Sequence, residues 1–262
     1  MKVRVLPILK LQADGIGIID LTDFEDFDYV IREILLNHPY IIYRGQRNSD
    51  WPLRTSLDRL FLSSKNHLPK IMDAADFLIK FKYSTRGRLS SEWIPKDDNS
   101  WWALGQHFGL ATPLLDWTES PFVAAYFAFL KSANKSNDKY PKRVIWALDP
   151  NEIQKKSKSL KAKDKIEIIN PLSDQNPRLV NQRGLFTKLP IWTDMETWVK
   201  KYFKGVDTNV ALIKIEIPEE DGHRNKFLQF LNRANINSLT LFPDLTGAAI
   251  HCNNNLLIDN YE

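Results

Sequence analysis

The sequence predicts a single α+β domain with a split or strongly bent mixed β-sheet surrounded by helices, and three observations support this. Strand-type and helix-type patterns follow one another without the regular alternation of a doubly wound sheet. The chain has 262 residues, of which 43% are hydrophobic and 26% charged, which suits one large globular domain. The longest apolar run, residues 121–130, is about half of what a membrane-spanning helix needs. We therefore expect a soluble, cytoplasmic protein without a membrane partner.

Apolar spacing and cap residues define the expected elements. Ser120 and Pro121 mark a helix start, with Ser120 as N-cap and Pro121 at the first helical position, and Asp244 is expected to cap a last apolar helix. Apolar residues at helical spacing predict helices over residues 22–37, 71–83, 101–108, 122–130 and 223–235. Apolar or alternating runs predict strands over residues 15–21, 40–43, 143–148, 184–187 and 210–217.

One segment, residues 150–168, is rich in lysine. Its lysines are Lys155, Lys156, Lys158, Lys161, Lys163 and Lys165. Because a cluster of like charges usually forms a solvated face, we expect a surface insertion in a single domain of residues 1–262, with a core built from residues 15–150 and 170–255. The net charge of +4 and the pI of about 8.9 permit an anionic partner such as nucleic acid but do not require one.

The use of cysteine and histidine argues against several kinds of chemistry. The single cysteine, Cys252, cannot form an internal disulfide, and its place after an apolar run predicts a small core residue. The five histidines are scattered without the spacing of a zinc site, so we expect no metal. The sequence also lacks a Gly-rich phosphate loop and a nucleophile elbow.

Two polar-aromatic signatures, residues 40–46 and residues 105–118, carry groups that chemistry can use. In the first, an apolar run ends in Arg44, whose guanidinium is a five-donor fork suited to phosphate or carboxylate. The neighbouring Gly45 is expected to leave room for a ligand. The second signature supplies an imidazole from His107, a carboxylate from Asp116, a hydroxyl from Thr118 and, from Trp117, a ring that can stack on a base.

Four blocks of the chain resemble the FRG domain family, which is named for its Phe/Tyr-Arg-Gly motif. Tyr43-Arg44-Gly45-Gln46 resembles the opening motif, and residues 105–128 resemble the central block. Residues 181–187 and 241–247 resemble the third block and the C-terminal signature. The family is mostly described as a bacterial and phage domain of unknown activity.

The order of Arg44, Thr118 and Gln182 is also similar to the motif order of ADP-ribosyltransferases. That similarity implies an ADP-ribosyltransferase-like fold and NAD as co-substrate. For the third motif position, where those enzymes carry Glu or Gln on a later strand, the sequence offers Gln182, Glu216 or Glu119. The implied catalytic residues are Arg44, His107, Thr118 and Gln182. The implied NAD-binding residues are Tyr43, Arg44, Gly45, Gln46, Asp116 and Trp117.

Each of these residues also has a structural interpretation. Arg44 and Asp116 can form a buried ion pair, which would account for a carboxylate between two large apolar residues. His107 can cap the carbonyls at a helix C-terminus, and Thr118 can serve a turn. On the functional interpretation, Arg44, Asp116, His107 and Gln182 converge on one cleft, because each follows an apolar run and therefore lies at the end of an element.

Two functions from different classes follow from these patterns. The first is an NAD-dependent toxin or antiphage effector that modifies nucleic acid or protein, with an antitoxin or another defence-system component as partner. The second is a non-catalytic module that senses nucleic acid or a phage component through its lysines and tryptophans.

Overall fold

The computed structural model describes residues 8–12, 14–64, 73–89, 94–132, 141–171, 177–205, 210–219 and 222–261. Ile71 and Met72, the first residues of one expected helix, lie outside these ranges. Within the ranges, no helix has both the length and the apolar character needed to span a membrane. The secondary structure is mixed α and β, as the sequence predicts.

The centre of the fold is a mixed sheet whose strand order is β1-β2-β8-β5-β3-β4-β7-β6. The β2–β8 pair is parallel and the other neighbouring pairs are antiparallel. In chain order the strands are β1 Leu9–Leu11, β2 Ile16–Asp20, β3 Ile42–Gln46, β4 Leu114–Thr118, β5 Arg143–Leu148, β6 Glu167–Ile169, β7 Gly184–Lys188 and β8 Leu212–Ile217.

Helices cover both faces of this sheet, with α1, α5 and α9 on one face and α6 and α8 on the other. Most helices begin at a side-chain N-cap, and Ser120 and Asp244 act as caps as expected. In chain order the helices are α1 Phe27–Asn37, α2 Ser56–Ser63, α3 Ala74–Ser84, α4 Asp98–His107, α5 Pro121–Phe129, α6 Pro150–Lys158, α7 Pro177–Asn181, α8 Met195–Phe203, α9 His223–Arg233, α10 Ser238–Leu241 and α11 Leu245–Leu257. Two 3-10 turns lie at Phe24–Asp26 and Ala162–Asp164.

The sheet opens between β3 and β4, the fifth and sixth of its eight strands. β3 and β4 are joined through one residue pair, Tyr43 with Thr118. By contrast, β3 pairs with β5 over 5 residues, and β4 pairs with β7 over 5 residues. The strands diverge beyond the single pair, and the resulting gap holds the polar residues of both sequence signatures. The first signature is also more regular than expected, because β3 continues through Arg44 to Gln46 rather than ending at residue 43.

Helix α5 packs directly on β3 at Gly45. A Cβ atom at Gly45 would overlap the carbonyl oxygen of Ala124 and would lie 2.8 Å from the amide nitrogen of Ala128. The glycine is therefore needed for the close approach of a buried helix to a strand. The approach of α5 accounts for the glycine by itself, and the expectation that Gly45 leaves room for a ligand stays a prediction.

The lysine-rich segment is partly integrated into the core. Five of its six lysines are exposed, which agrees with the expected solvated face, and Lys156 is half-buried. However, Ile153 and Ile166 are buried against the sheet, and Trp198 donates its indole N–H to the carbonyl of Asp164. The segment is thus an ordered helix and turn that leads into β6, not a loose loop.

Cys252 is exposed on α11, so the prediction of a core position was wrong. The helix is amphipathic only in part, and its buried positions include Gly247 and Asn254 rather than the cysteine.

Candidate functional site

A cleft of about 420 Å³ lies at the opening between β3 and β4. Its walls come from these strands and from α4, α5, α7, the turn after α7 and the segment before α11. The structure brings Arg44, His107, Asp116 and Gln182 to this one cleft, as the functional interpretation predicts. The volume lies within the range typical of small-ligand sites.

Arg44 spans the gap between the two strands. Its Nη1 donates to the backbone oxygen of Asp116 at 2.7 Å and lies 3.4 Å from the carboxylate Oδ2. Its Nε is buried and has no partner among the described residues. The side chains of Arg44 and Asp116 are 20% and 63% exposed, so this ion pair is not the buried pair of the structural interpretation.

The Asp116 carboxylate is also held by an amide that the sequence did not single out. Gln106, at the end of α4, donates from Nε2 to Asp116 Oδ1. The Gln106 oxygen accepts a hydrogen bond from the buried hydroxyl of Thr112. Gln106 lies directly before His107 in the second signature, so its position was visible in the sequence, but its role depends on contacts with residues 112 and 116.

His107 is the last residue of α4 and is exposed at the cleft. Within the described part of the chain its ring makes no hydrogen bond, so it does not cap the helix carbonyls. Partial burial and then the nearby positive charge of Arg178 lower the pKa of His107 below its usual value of 6.5, while Asp244 acts in the opposite direction. The imidazole is therefore neutral at pH 7 and can accept a proton.

Arg178, on α7, is a cleft residue that the sequence analysis missed. Its Nε donates to Asp244 Oδ2 at 2.6 Å, and its Nη2 donates to the hydroxyl of Thr246 at 3.2 Å. Its guanidinium also lies 5.4 Å from the ring centroid of Phe242. A cation fixed in this way gives the cleft a second positive group in addition to Arg44.

Thr118 and Gln182 both line the cleft, and the side chain of each donates a hydrogen bond to a backbone carbonyl. The Thr118 hydroxyl donates to the backbone oxygen of Gln182 at 2.6 Å and accepts from the amide of Ser120 at 3.1 Å. The Gln182 amide donates to the carbonyl of Leu241 at 3.0 Å. The Thr118 hydroxyl thus makes two hydrogen bonds within the fold, and its assignment as a catalytic residue stays a prediction.

Trp117 is among the residues that line the cleft, although its side chain is almost fully buried, and Gln46 is not. Trp117 is 2% exposed, packs in the core cluster under α6 and α8, and donates its indole N–H to Thr187. Successive strand residues point to opposite faces of the sheet, so Asp116 and the next residue, Trp117, point to opposite faces. Gln46 accepts a hydrogen bond from Trp146 at 2.7 Å and does not line the cleft. Their assignment as NAD-binding residues stays a prediction.

Tyr43 lines the cleft from β3, but the residue is fully buried. Burial raises the pKa of its phenol well above the usual value, so the hydroxyl stays protonated. The hydroxyl has no hydrogen-bond partner among the described residues. Tyr43 thus supports the cleft floor.

The two glutamates considered for the third motif position lie elsewhere. Glu216, on β8, is bound by Lys142 at 3.2 Å and by Lys214 at 2.9 Å. Glu119 forms an ion pair with Arg183 at 2.8 Å. Among the residues lining the cleft, the carboxylate is that of Asp116. The described residues hold no group of three or more His, Cys, Asp or Glu suited to a metal ion.

Comparison with known proteins gives one match. The family model of the FRG domain matches residues 39–138. This segment contains β3, α4, β4 and α5, and therefore Arg44, His107 and Asp116, and it ends before Gln182. No curated protein and no solved structure matches the chain.

Proposed function

From the premise that this chain carries an FRG domain, we propose that its cleft binds NAD and transfers ADP-ribose to an acceptor. The observation that carries the proposal is the convergence of Arg44, His107, Asp116 and Gln182 on one cleft of about 420 Å³. These residues come from separate elements, and together they supply a cation, a neutral base, a carboxylate and an amide. The likeness to an ADP-ribosyltransferase fold is part of this proposal.

Two arginines would hold the diphosphate of NAD. Arg44 keeps a partly exposed guanidinium at the β3 side of the cleft, and Arg178 is fixed at the α7 side by Asp244. Charge-assisted hydrogen bonds from guanidinium to phosphate are among the stronger contacts available to a protein. Binding would require Arg44 to give up part of its weak 3.4 Å contact with the Asp116 carboxylate, which is a small cost for an exposed pair.

Asp116 and His107 would carry the chemistry. Loss of nicotinamide breaks the bond from the ribose C1′ to the ring nitrogen, and the leaving ring takes the electron pair. The Asp116 carboxylate, 63% exposed at the cleft, would stabilise the positive charge that develops on the ribose. Neutral His107 would accept the proton of the acceptor hydroxyl or amine as that group attacks C1′. Gln182 would position the acceptor or a ribose hydroxyl through its amide.

Incubation of the protein with labelled NAD, cell extract and nucleic acid tests the proposal. We expect nicotinamide release and label on a protein or nucleic-acid acceptor, both abolished by Asp116→Asn. Asp20→Asn, which changes an exposed aspartate on β2 paired with Lys142, serves as the matched control and should retain activity. If the wild type releases no nicotinamide and transfers no label to any fraction, NAD is not its substrate.

Such an activity would act as a toxin or antiphage effector in a bacterium, with an antitoxin or defence component that restrains it. Cells expressing the wild type should stop growing, and cells expressing Asp116→Asn should grow normally. Equal growth of both strains at equal protein levels would count against the effector role.

A second candidate, a nucleic-acid sensor, is favoured by the exposed lysines of the segment 150–168. Neutralising phosphates with lysine makes binding strongly salt-dependent. On this hypothesis, replacing Lys155, Lys158, Lys161, Lys163 and Lys165 by Gln abolishes DNA or RNA binding in a gel-shift assay while the melting temperature is kept. Binding that is unchanged by these substitutions would remove the candidate.

A further inference from the structure

We infer that Gln106 is a positioning residue that locks Asp116 as a hydrogen-bond acceptor, and that this lock makes the cleft select a ligand with ribose hydroxyls. The inference rests on the proposed function for the identity of the ligand. It is carried by a chain of hydrogen bonds that runs from α2 to the cleft through Ser56, Thr112 and Gln106 to Asp116.

The chain begins at a fixed point in the core. Thr112 is fully buried, its amide donates to the Ser56 hydroxyl at 2.9 Å, and the Ser56 hydroxyl donates to the Thr112 carbonyl at 3.3 Å. The amide of Leu114 donates to the Thr112 hydroxyl oxygen at 3.3 Å. The Thr112 hydroxyl oxygen is therefore used as an acceptor, and its proton is directed to another group.

That group is the Gln106 side-chain oxygen. An amide whose oxygen accepts from Thr112 must turn its NH₂ the other way, and there it donates to Asp116 Oδ1. The orientation of the Gln106 amide is thus set by the buried hydroxyl. Asp116 accepts a hydrogen bond from Gln106 on one oxygen, and its other oxygen lies 3.4 Å from Arg44 Nη1.

An ionised carboxylate held by two donors can offer its remaining lone pairs to a ligand only as acceptors. The ligand group that it binds must donate a hydrogen bond. Hydroxyl groups of a ribose meet that requirement. The 63% exposure of the Asp116 side chain leaves it accessible to such a ligand.

The test compares binding of two probes, NAD and NAD whose nicotinamide ribose lacks the 2′-hydroxyl, by calorimetry at pH 7.5. The wild type should prefer NAD by about ten- to a hundredfold, the usual effect of one hydrogen bond to a charged group. Gln106→Met removes the donor without adding charge, and Gln106→Glu places a carboxylate against Asp116. Both variants should reduce the preference to about threefold or less, whereas Gln154→Glu, the same change on the exposed face of α6, should keep it.

A second measurement tests the lock without any ligand. In Gln106→Glu two carboxylates lie side by side in the folded state, so they repel each other when both are ionised. This repulsion is absent when they are protonated at low pH and appears as the pH rises. The melting temperature of Gln106→Glu should therefore match the wild type near pH 4 and fall below it by pH 7, and Gln154→Glu should show no such divergence.

The outcomes separate the inference from the proposed function. If the wild type binds neither probe, NAD is not the ligand and the ribose selection fails with it, while the melting curves still decide whether the lock exists. If the wild type binds NAD but the Gln106 variants keep its preference, the proposed function stands and the inference is overturned. Parallel melting curves for Gln106→Glu and Gln154→Glu would also overturn the lock.

Discussion

Arg44 and Arg143 lie on the neighbouring strands β3 and β5, but their surroundings differ. The Arg44 side chain and its partner Asp116 are 20% and 63% exposed. Arg143 is fully buried, where it pairs with Glu219 and donates to the carbonyls of Ala128 and Lys131 at the end of α5. An exposed pair contributes at most about 1 kcal/mol, whereas removing one partner of a buried pair costs about 3–5 kcal/mol. Arg44 is therefore available for a ligand, and Arg143 holds the fold.

Replacement of Arg44 by alanine should abolish NAD binding with little loss of stability. Because its ion pair is partly exposed, we expect the melting temperature to fall by no more than about 2–4 °C. Arg32→Ala breaks an exposed ion pair with Asp28 on α1 and serves as the control that retains binding. Thermal melts and calorimetry check both effects. A collapse of the melting transition in Arg44→Ala would show that the residue is structural.

Replacement of Arg143 by alanine should have the opposite effect. The change leaves Glu219 buried without its partner and removes donors from two carbonyls at the end of α5, so we expect a loss of about 3–5 kcal/mol in the free energy of unfolding. Urea denaturation measures this loss. Lys142→Ala removes the neighbouring, more exposed cation and should cost far less. Equal midpoints for the two variants would contradict a structural role for Arg143.

The pH dependence of activity should report the protonation of His107. Burial and Arg178 lower its pKa below 6.5, so neutral His107 persists to lower pH than a free imidazole and the acidic limb of the rate profile should lie below 6.5. Arg178→Ala removes one cause of the shift, and the limb should move to higher pH. The rate of ADP-ribose transfer to the acceptor, measured from pH 4 to 8 with saturating NAD for each variant, checks this. An unmoved limb in Arg178→Ala would assign it to another group.

At the scale of elements, features set by neighbouring residues could be predicted from the sequence, whereas features set by contacts between distant residues could not. The caps at Ser120 and Asp244 follow from a side chain and the next few residues, and both were predicted. The need for glycine at position 45 could not be predicted. It arises from the close approach of the Ala124 carbonyl, which belongs to a helix far along the chain. The helix α6 was underestimated because its lysines suggested a solvated segment, although Asp149 caps it and Ile153 is buried.

Replacement of Gly45 by alanine should displace α5 from β3. The new methyl group meets backbone atoms that cannot rotate away, so we expect a loss of about 3 kcal/mol or more, at the upper end of overpacking effects. Gly87→Ala is the control, because its Cβ meets nothing within 4 Å and its cost of about 1 kcal/mol comes from its positive φ alone. Urea midpoints measure both. Equal losses in the free energy of unfolding for the two variants would show that α5 can move away from β3 without cost.

At the scale of the whole molecule, the convergence of Arg44, His107 and Asp116 on one cleft could be predicted because each ends or closely follows an apolar run. The face of the strand that Trp117 occupies could not be predicted, since a short apolar run carries no sign of which face is buried. Arg178 was missed because its position is set by an ion pair with Asp244, 66 residues further along the chain. The width of the cleft depends on the single pair between β3 and β4, which local patterns do not encode.

The most direct test of the central claim is a crystal structure of the protein soaked with NAD. We predict the diphosphate between Arg44 and Arg178, and the nicotinamide ribose within about 3 Å of the Asp116 carboxylate, the distance of a hydrogen bond to a charged group. Density for NAD in this position would support the cleft between β3 and β4 as the active site. NAD bound elsewhere on the molecule, or an unchanged cleft at saturating NAD in crystals that leave it accessible, would contradict the claim.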